Sequence, residues 1–127
     1  MGKRVVHIEF PAQDAERGKK FWEGVGGWTL NDAGMPNGQY LMFQEGDQGG
    51  AVYKMEGPQP SGTTIYLGSD HIDADLAKVR ELGGEAEDKQ PIPSIGWFAR
   101  CKDSEGNEFS LYQSDENAPM PEGMPEQ

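Results

Sequence analysis

The order of apolar and polar residues predicts a strand and a helix at the start of the chain. Residues 5–10 alternate, so apolar side chains occupy one face of a strand and His7 and Glu9 the other. A helix over about residues 15–25 follows, with Asp14 as its N-cap and Gly26-Gly27 at its end. The apolar stripe predicted for this helix consists of Gly18, Phe21, Trp22 and Val25.

The remainder of the chain predicts short strands, a second helix and a closing pair of strands. After Gly26-Gly27 the predicted elements are strands at 28–30, 39–43 and 51–55, then a strand at 63–67, a helix, and strands at 85–88, 96–102 and 107–113. Asp70 or Asp73 caps the second helix in this prediction. Its apolar stripe consists of Ile72, Leu76, Val79 and Leu82.

A weak internal repeat relates these two sets of elements at a spacing of 57 residues. Gly26-Gly27 returns as Gly83-Gly84, and Pro36 returns as Pro93, at positions where helix ends and turns require Gly or Pro. We therefore predict an α+β fold with two tandem βαβββ modules, which form a curved mixed sheet around a cavity with the helices on its outer face. The predicted single domain spans 1–113, with modules at 4–56 and 63–113, a linker at 57–62, and a disordered tail or loose arm at 114–127.

Composition narrows the classes of partner. With a net charge of −11, the chain is not expected to have the basic surface that binding to nucleic acid or to an anionic membrane would need. It permits a cationic ligand, although acidic residues often serve solubility alone. Cys101 is the only cysteine, which rules out an internal disulfide and a cysteine-based metal site, and we interpret it as a packing residue. With no membrane-length apolar run and no signal-peptide core, we expect a cytoplasmic protein.

Several segments resemble the vicinal oxygen chelate superfamily, which contains glyoxalases, bleomycin-resistance proteins and extradiol dioxygenases. The segments are VVHIEFPAQDAERGKKFWEGVGGW at the start and DHIDADLAKVRELGG, PIPSIGWFARCKDSEGNEFSLYQ towards the end. The similarity covers roughly residues 4–113, and GWFA with D-x-E-G-N places it nearest a short glyoxalase-like branch. The resemblance implies a ligand cavity between modules or subunits, and we expect a homodimer.

The resemblance also implies positions for metal ligands, on the first and last strand of each module. In this chain those positions hold His7, Tyr53, Thr64 and Ser110. Only His7 is a usual ligand, because hydroxyl groups rarely hold a divalent metal without carboxylate neighbours. We therefore predict no metal cofactor. A displaced site made of His7, Glu9 and Glu108 is a less favoured alternative.

The inward faces of the predicted strands supply the other candidate site residues. His7 and Glu9 are candidates for acid–base or ligand contacts, although His7 could merely be hydrogen-bonded inside the cavity and Glu9 could lie at an open rim. Of Trp97 and Phe98, one faces the helix and the other the cavity. Arg100 could clamp an anionic group or form a surface ion pair. The predicted ligand contacts, which could instead pack a dimer interface or a collapsed cavity, are Tyr53, Thr64, Tyr66, Ser110, Tyr112 and Arg100.

Two functions from different classes are consistent with these residues. The first is a metal-independent protein that binds a small organic ligand by shape, aromatic contact and a few hydrogen bonds. The second is an enzyme, an isomerase or lyase or a dioxygenase-like protein, that acts on a small carbonyl compound. His7 or Glu9 would then be the base, or a displaced metal would be present, and hydroxyl groups would have to stabilise an enolate.

Overall fold

The computed structural model describes residues 2–32, 39–55 and 62–120. It contains two compact units, one formed by Val5–Ile65 and the other by Met1–Arg4 with Tyr66–Gln127. Each unit contains one helix and several strands, so the α+β class with two tandem modules is confirmed. Most of the predicted linker 57–62 and the loop around Pro36 lie outside the described residues. Among the described residues, no helix is long and apolar enough to cross a membrane.

The first unit contains a three-stranded sheet with one helix. In chain order its elements are β1 (Val5–Ala12), α1 (Ala15–Gly26), β2 (Tyr40–Glu45) and β3 (Gln48–Lys54). The middle strand β3 pairs in parallel with β1 and antiparallel with β2. The strand predicted at 28–30 is reduced to one isolated bridge between Asn31 and Met42. This prediction of a strand was wrong, although the chain does return to the sheet edge at that point.

Stacked aromatic rings fill the space between α1 and this sheet. The ring centroids of Phe10 and Trp22 lie 4.3 Å apart, and those of Trp28 and Phe43 lie 4.1 Å apart with nearly parallel planes. Both pairs pack against a buried cluster that includes Val52. Burial of such rings is the largest apolar contribution to a small core. The aromatic core of the first unit therefore lies on the helix-facing side of the sheet.

Helix α1 begins as predicted, but only half of its predicted apolar stripe packs against the sheet. The Asp14 side chain accepts a hydrogen bond from the Arg17 amide at 3.1 Å, so the predicted N-cap is confirmed. Phe21 and Val25, which were predicted to be core, are 56% and 70% exposed. The helix approaches the sheet so closely at Gly18 that a Cβ there would lie 2.9 Å from Val52. Gly18 and Trp22 of the predicted stripe therefore contact the sheet side, whereas Phe21 and Val25 do not.

The remaining elements are β4 (Thr64–Gly68), α2 (Ile72–Glu81), β5 (Glu85–Ala86), β6 (Gln90–Ile92), β7 (Gly96–Lys102) and β8 (Glu108–Ser114). Their strands are ordered β4-β8-β7-β5, with β6 paired to β7. Strand β4 pairs in parallel with β8, and β7 pairs antiparallel with β8.

Helix α2 is anchored differently from the prediction. Neither Asp70 nor Asp73 is its N-cap, which is His71 without a side-chain hydrogen bond. The Ile72 amide instead donates to the side-chain oxygen of Gln113 at 2.8 Å. Gln113, on β8, therefore satisfies a backbone N–H at the start of the helix that an N-cap side chain would otherwise satisfy. Leu82 lies beyond the last helical turn and is exposed, which removes it from the predicted stripe.

The N-terminal segment is fastened to α2 through Asp75. Lys3 Nζ lies 2.8 Å from the Asp75 carboxylate, and the Ser69 hydroxyl donates to the same carboxylate at 2.5 Å. Burial raises the pKa of Asp75, but the hydrogen bonds and charges of Lys3, Ser69 and His71 outweigh it and hold that pKa below its ordinary value. The carboxylate is therefore ionised at neutral pH and holds Lys3 in place.

The start of the predicted tail is packed rather than loose. Ala118 is buried, and its carbonyl accepts a hydrogen bond from the Ser94 amide at 3.0 Å. Trp97 Nε1 donates to the Asp115 carboxylate, also at 3.0 Å. The prediction of a loose arm from residue 114 is therefore wrong as far as Ala118, because these contacts are tertiary and leave no local pattern. Residues 121–127 lie outside the described residues.

Gly50→Ala tests the close packing of β3. A Cβ at Gly50 would collide with the Phe43 ring and lie 2.9 Å from the Ile8 carbonyl oxygen, so we expect a loss of about 1–3 kcal/mol in the free energy of unfolding. Chemical denaturation measures this loss. Gly24→Ala is the matched control, because a Cβ at that position meets nothing within 4 Å and should be neutral or mildly stabilising. Equal stability of the two variants would contradict the packing described here.

Candidate functional site

The face of the first sheet turned away from α1 carries the candidate polar residues. Alternation along β1 places His7 and Glu9 opposite Phe10, which packs in the core beneath α1. Both side chains are largely buried, with 17% of His7 and 14% of Glu9 exposed. Polar groups at this burial need partners. The predicted orientation of His7 and Glu9 relative to the first helix is therefore present in the fold.

His7, Glu9 and Tyr40 form one hydrogen-bonded cluster on this face. The Tyr40 hydroxyl donates to Glu9 Oε2 at 2.5 Å. His7 Nε2 lies 2.9 Å from the same hydroxyl oxygen and 3.3 Å from Glu9 Oε2. Three atoms from two non-adjacent strands therefore converge on one point, and we call these three residues the polar trio.

Small residues on β3 allow the polar trio to form. The register places Gly49 beside His7, and Ala51 beside Glu9 on one side and Met42 on the other. Gly49 and Ala51 are buried and leave room above the middle strand. Tyr40, at the start of β2, has a side chain long enough to reach over β3 to β1. The hydrogen bond between Tyr40 and Glu9 thus depends on a small residue at position 51.

The Tyr40 hydroxyl is the donor to Glu9. Its oxygen lies 2.5 Å from Glu9 Oε2, which is a short O–H···O hydrogen bond. Because Tyr40 has a single hydroxyl proton and gives it to Glu9, the contact with His7 requires a proton on Nε2 of the imidazole. The chain of donors therefore runs from His7 through Tyr40 to Glu9. In this arrangement the Tyr40 hydroxyl links the imidazole to the Glu9 carboxyl group.

Sequence reasoning missed Tyr40. The available signal was the alternation of residues 40–43, in which Leu41 and Phe43 are core and Tyr40 must point the other way. What the pattern does not contain is the pairing of β2 with β3, which sets Tyr40 opposite the predicted ligand contact Tyr53. Tyr53 is half-buried on the same face as the polar trio, and its role as a ligand contact stays a prediction.

The second unit gathers its own predicted residues on the sheet face away from α2. Register pairs Tyr66 with Ser110, and Tyr112 with Phe98. Trp97 packs with the core under α2, so Phe98 is the residue on the opposite face, which resolves the choice left open by the sequence. Of the predicted ligand contacts on this face, Ser110 is only 1% exposed, while Tyr66 and Tyr112 are half-buried.

Arg100 and Thr64 complete the set of predicted ligand contacts. The Arg100 guanidinium lies over the Phe98 ring at 5.6 Å and 3.9 Å from the Glu87 carboxylate. Both charged partners are well exposed, so this is a surface ion pair of small energetic value. Thr64 is half-buried at the start of β4. Contact of either residue with a ligand stays a prediction.

The positions that correspond to family metal ligands do not suit a divalent metal. They contain one imidazole, at His7, and the hydroxyl groups of Tyr53, Thr64 and Ser110. His7 Nε2 is already engaged by the Tyr40 hydroxyl. Within residues 2–32, 39–55 and 62–120, no group of three His, Cys, Asp or Glu side chains that could hold a metal is found.

A depression lies beside α1 in the first unit, apart from the polar trio. Its volume is about 520 Å³, within the size range of small-molecule sites. It contains none of the predicted site residues and is lined by Ala12, Gln13, Asp14, Arg17, Gly18, Phe21 and Trp22.

Comparison with known sequences places the chain among glyoxalase-like proteins. A family model described as a glyoxalase-like domain matches residues 6–112. A Mycobacterium tuberculosis protein with the provisional name glyoxylase CFP32 is 33% identical over 95 residues, which cover 72% of this chain and 36% of that protein. The chain thus spans about a third of the length of the curated relatives it matches.

Solved structures with a similar fold include proteins of the same superfamily. A glyoxalase/bleomycin resistance protein/dioxygenase superfamily member from Vibrio splendidus 12B01 has a TM-score of 0.65 at 17% identity, over 89% of this chain and 100% of that chain. Methylmalonyl-CoA epimerase from Mycobacterium tuberculosis has a TM-score of 0.66 at 11% identity, over 87% of each chain. Identities this low show the fold alone. The resemblance to the vicinal oxygen chelate superfamily is confirmed.

The donor order in the polar trio predicts the tautomer of His7. We expect neutral His7 to carry its proton on Nε2, because the Tyr40 hydroxyl proton is committed to Glu9. Long-range proton–nitrogen NMR spectra report the tautomer directly. Tyr40→Phe should weaken the preference, whereas Tyr53→Phe, on the same face, should leave it unchanged. A neutral His7 protonated on Nδ1 in the wild type would refute this donor order.

Proposed function

The chain belongs to the glyoxalase-like domain family, and on that premise we propose that it binds a small organic ligand at the polar trio without the metal at the family positions. The observation that carries the proposal is the convergence of His7, Glu9 and Tyr40 within 3.3 Å of one another. Burying polar side chains to this extent has a large unfavourable desolvation free energy. The polar trio lies on the sheet face that α1 does not cover.

The surroundings of the polar trio favour a ligand with both apolar and hydrogen-bonding parts. Tyr53, Met42 and Gln44 occupy neighbouring positions on the same face. Aromatic and thioether groups pack against apolar or aromatic ligand surface, and the polar trio can orient the remainder by hydrogen bonds. Small organic molecules combine these features more often than phosphorylated ones do.

The charges on this face disfavour an anionic ligand. The residues of β1, β2 and β3 that share the face include the Glu9 carboxylate and contain neither Lys nor Arg. The chain as a whole has a net charge of −11. A cationic or neutral ligand avoids repulsion by Glu9, and the aromatic ring of Tyr53 is also suited to a cation.

A second candidate function is acid–base catalysis beside a carbonyl group. The specific observation in its favour is that a carboxylate and an imidazole share one hydrogen-bond network, an arrangement used for proton transfer. Glu9 would remove a proton from the carbon next to the carbonyl and later return one, while a hydroxyl such as that of Tyr53 would stabilise the enolate. The methylmalonyl-CoA epimerases share only the fold, so the polar trio alone supports this candidate.

Ligand binding is tested with matched variants of two glutamates. Thermal stability is first screened with cationic, neutral and anionic aromatic compounds, and the best ligand is then measured by calorimetry. We expect Glu9→Gln to weaken binding about tenfold or more, because a hydrogen bond to a charged group is lost. Glu45→Gln is the control, since Glu45 is exposed in the same unit. Equal affinities of the two variants would exclude Glu9 from the binding site.

Catalysis is tested by hydrogen exchange in heavy water. The protein is incubated in D₂O with methylmalonyl-CoA or with simple 2-oxo acids, and deuterium at the carbon next to the carbonyl is followed by NMR. If the second candidate is correct, exchange is accelerated and Glu9→Gln lowers the rate about a hundredfold or more. Binding without acceleration in the wild type would leave the binding function and eliminate this one.

A further inference from the structure

We infer that the Tyr40 hydroxyl prevents His7 and Glu9 from coordinating a metal ion. The inference rests on the proposed metal-free site and names the residue responsible. The phenol oxygen lies 2.9 Å from His7 Nε2 and 2.5 Å from Glu9 Oε2. An ion bound by both residues would need the space that this oxygen occupies.

Without the hydroxyl, the His7–Glu9 pair is well spaced for coordination. His7 Nε2 and Glu9 Oε2 are 3.3 Å apart. Two ligands at roughly 2.1 Å from one divalent ion, at a near-tetrahedral or octahedral angle, are separated by roughly that distance. An imidazole and a carboxylate are also among the usual ligands of zinc and other transition metals. The spacing is therefore not the reason for excluding a metal.

The hydrogen bonds that Tyr40 makes with His7 and Glu9 are what would exclude a metal ion. Coordination requires a bare lone pair on the imidazole nitrogen and on the carboxylate oxygen. Oε2 accepts the proton of the Tyr40 hydroxyl, and the donor order inferred above places a proton on Nε2 that points to Tyr40. Metal entry would break both of these hydrogen bonds. It would also require His7 to adopt its other tautomer.

Tyr40 itself is a poor substitute ligand at neutral pH. A phenol ordinarily ionises only near pH ~10, so a metal would have to displace a firmly held proton. The side chain is half-buried and its ring lies nearly parallel to the His7 ring, with an interplanar angle of 10°. Within β1–β3, the face contains no further His, Cys, Asp or Glu that could replace it.

The test compares metal affinity of tag-free wild type, Tyr40→Phe and Tyr53→Phe. Zinc, nickel and manganese are titrated separately by calorimetry at neutral pH, and bound metal is counted after equilibrium dialysis. We expect Tyr40→Phe to bind one equivalent of zinc about tenfold or more tightly than the wild type, because the competing hydrogen bonds are gone. Tyr53→Phe should behave as the wild type. Adding His7→Ala to Tyr40→Phe should abolish the gain.

Two outcomes would overturn the inference. One is a wild type that holds a tight equivalent of metal and loses it on His7→Ala. The other is equal affinity of folded Tyr40→Phe and Tyr53→Phe. Circular dichroism checks folding, and Tyr40→Leu replaces Tyr40→Phe if the latter does not fold. The ligand screen tests the proposed binding function independently. If no ligand is found in that screen, the comparison of metal affinities still tests the role of Tyr40.

Discussion

The first unit depends on small residues in its middle strand, β3. Gly49, Gly50 and Ala51 follow one another on β3, between two partner strands. Gly50 faces the helix side, where the Phe43 ring lies directly against the backbone. Gly49 and Ala51 face the other side, where the polar trio meets above them. A larger residue at position 50 would displace the aromatic core, and one at 51 would separate Glu9 from Tyr40.

The polar trio brings an imidazole, a carboxyl group and a phenol hydroxyl into one hydrogen-bond network. The Tyr40 hydroxyl links the imidazole of His7 to the Glu9 carboxyl group. The proposed metal-free site rests on the same two hydrogen bonds, because they occupy the nitrogen and oxygen atoms that a metal ion would need.

Local pattern predicted the elements well where one residue contacts its near neighbours in sequence. The Asp14 cap, the end of α1 at Gly27 and the placement of His7 and Glu9 opposite the core depend on spacings of a few residues. The predictions failed where distant segments decide. Phe21 is exposed although helical periodicity placed it in the apolar stripe, and Ala118 is buried, with its carbonyl accepting a hydrogen bond from Ser94.

The sequence by itself determined the α+β class, the two tandem modules and the strand face that His7 and Glu9 share. Those features follow from alternation, helical periodicity and glycine at turns, all of which are local and repeat along the chain. Only the tertiary structure decided that Tyr40 completes the site. Its contact with Glu9 spans 31 residues and two strand pairings. The register of those pairings is set by packing across the sheet, which no local pattern contains.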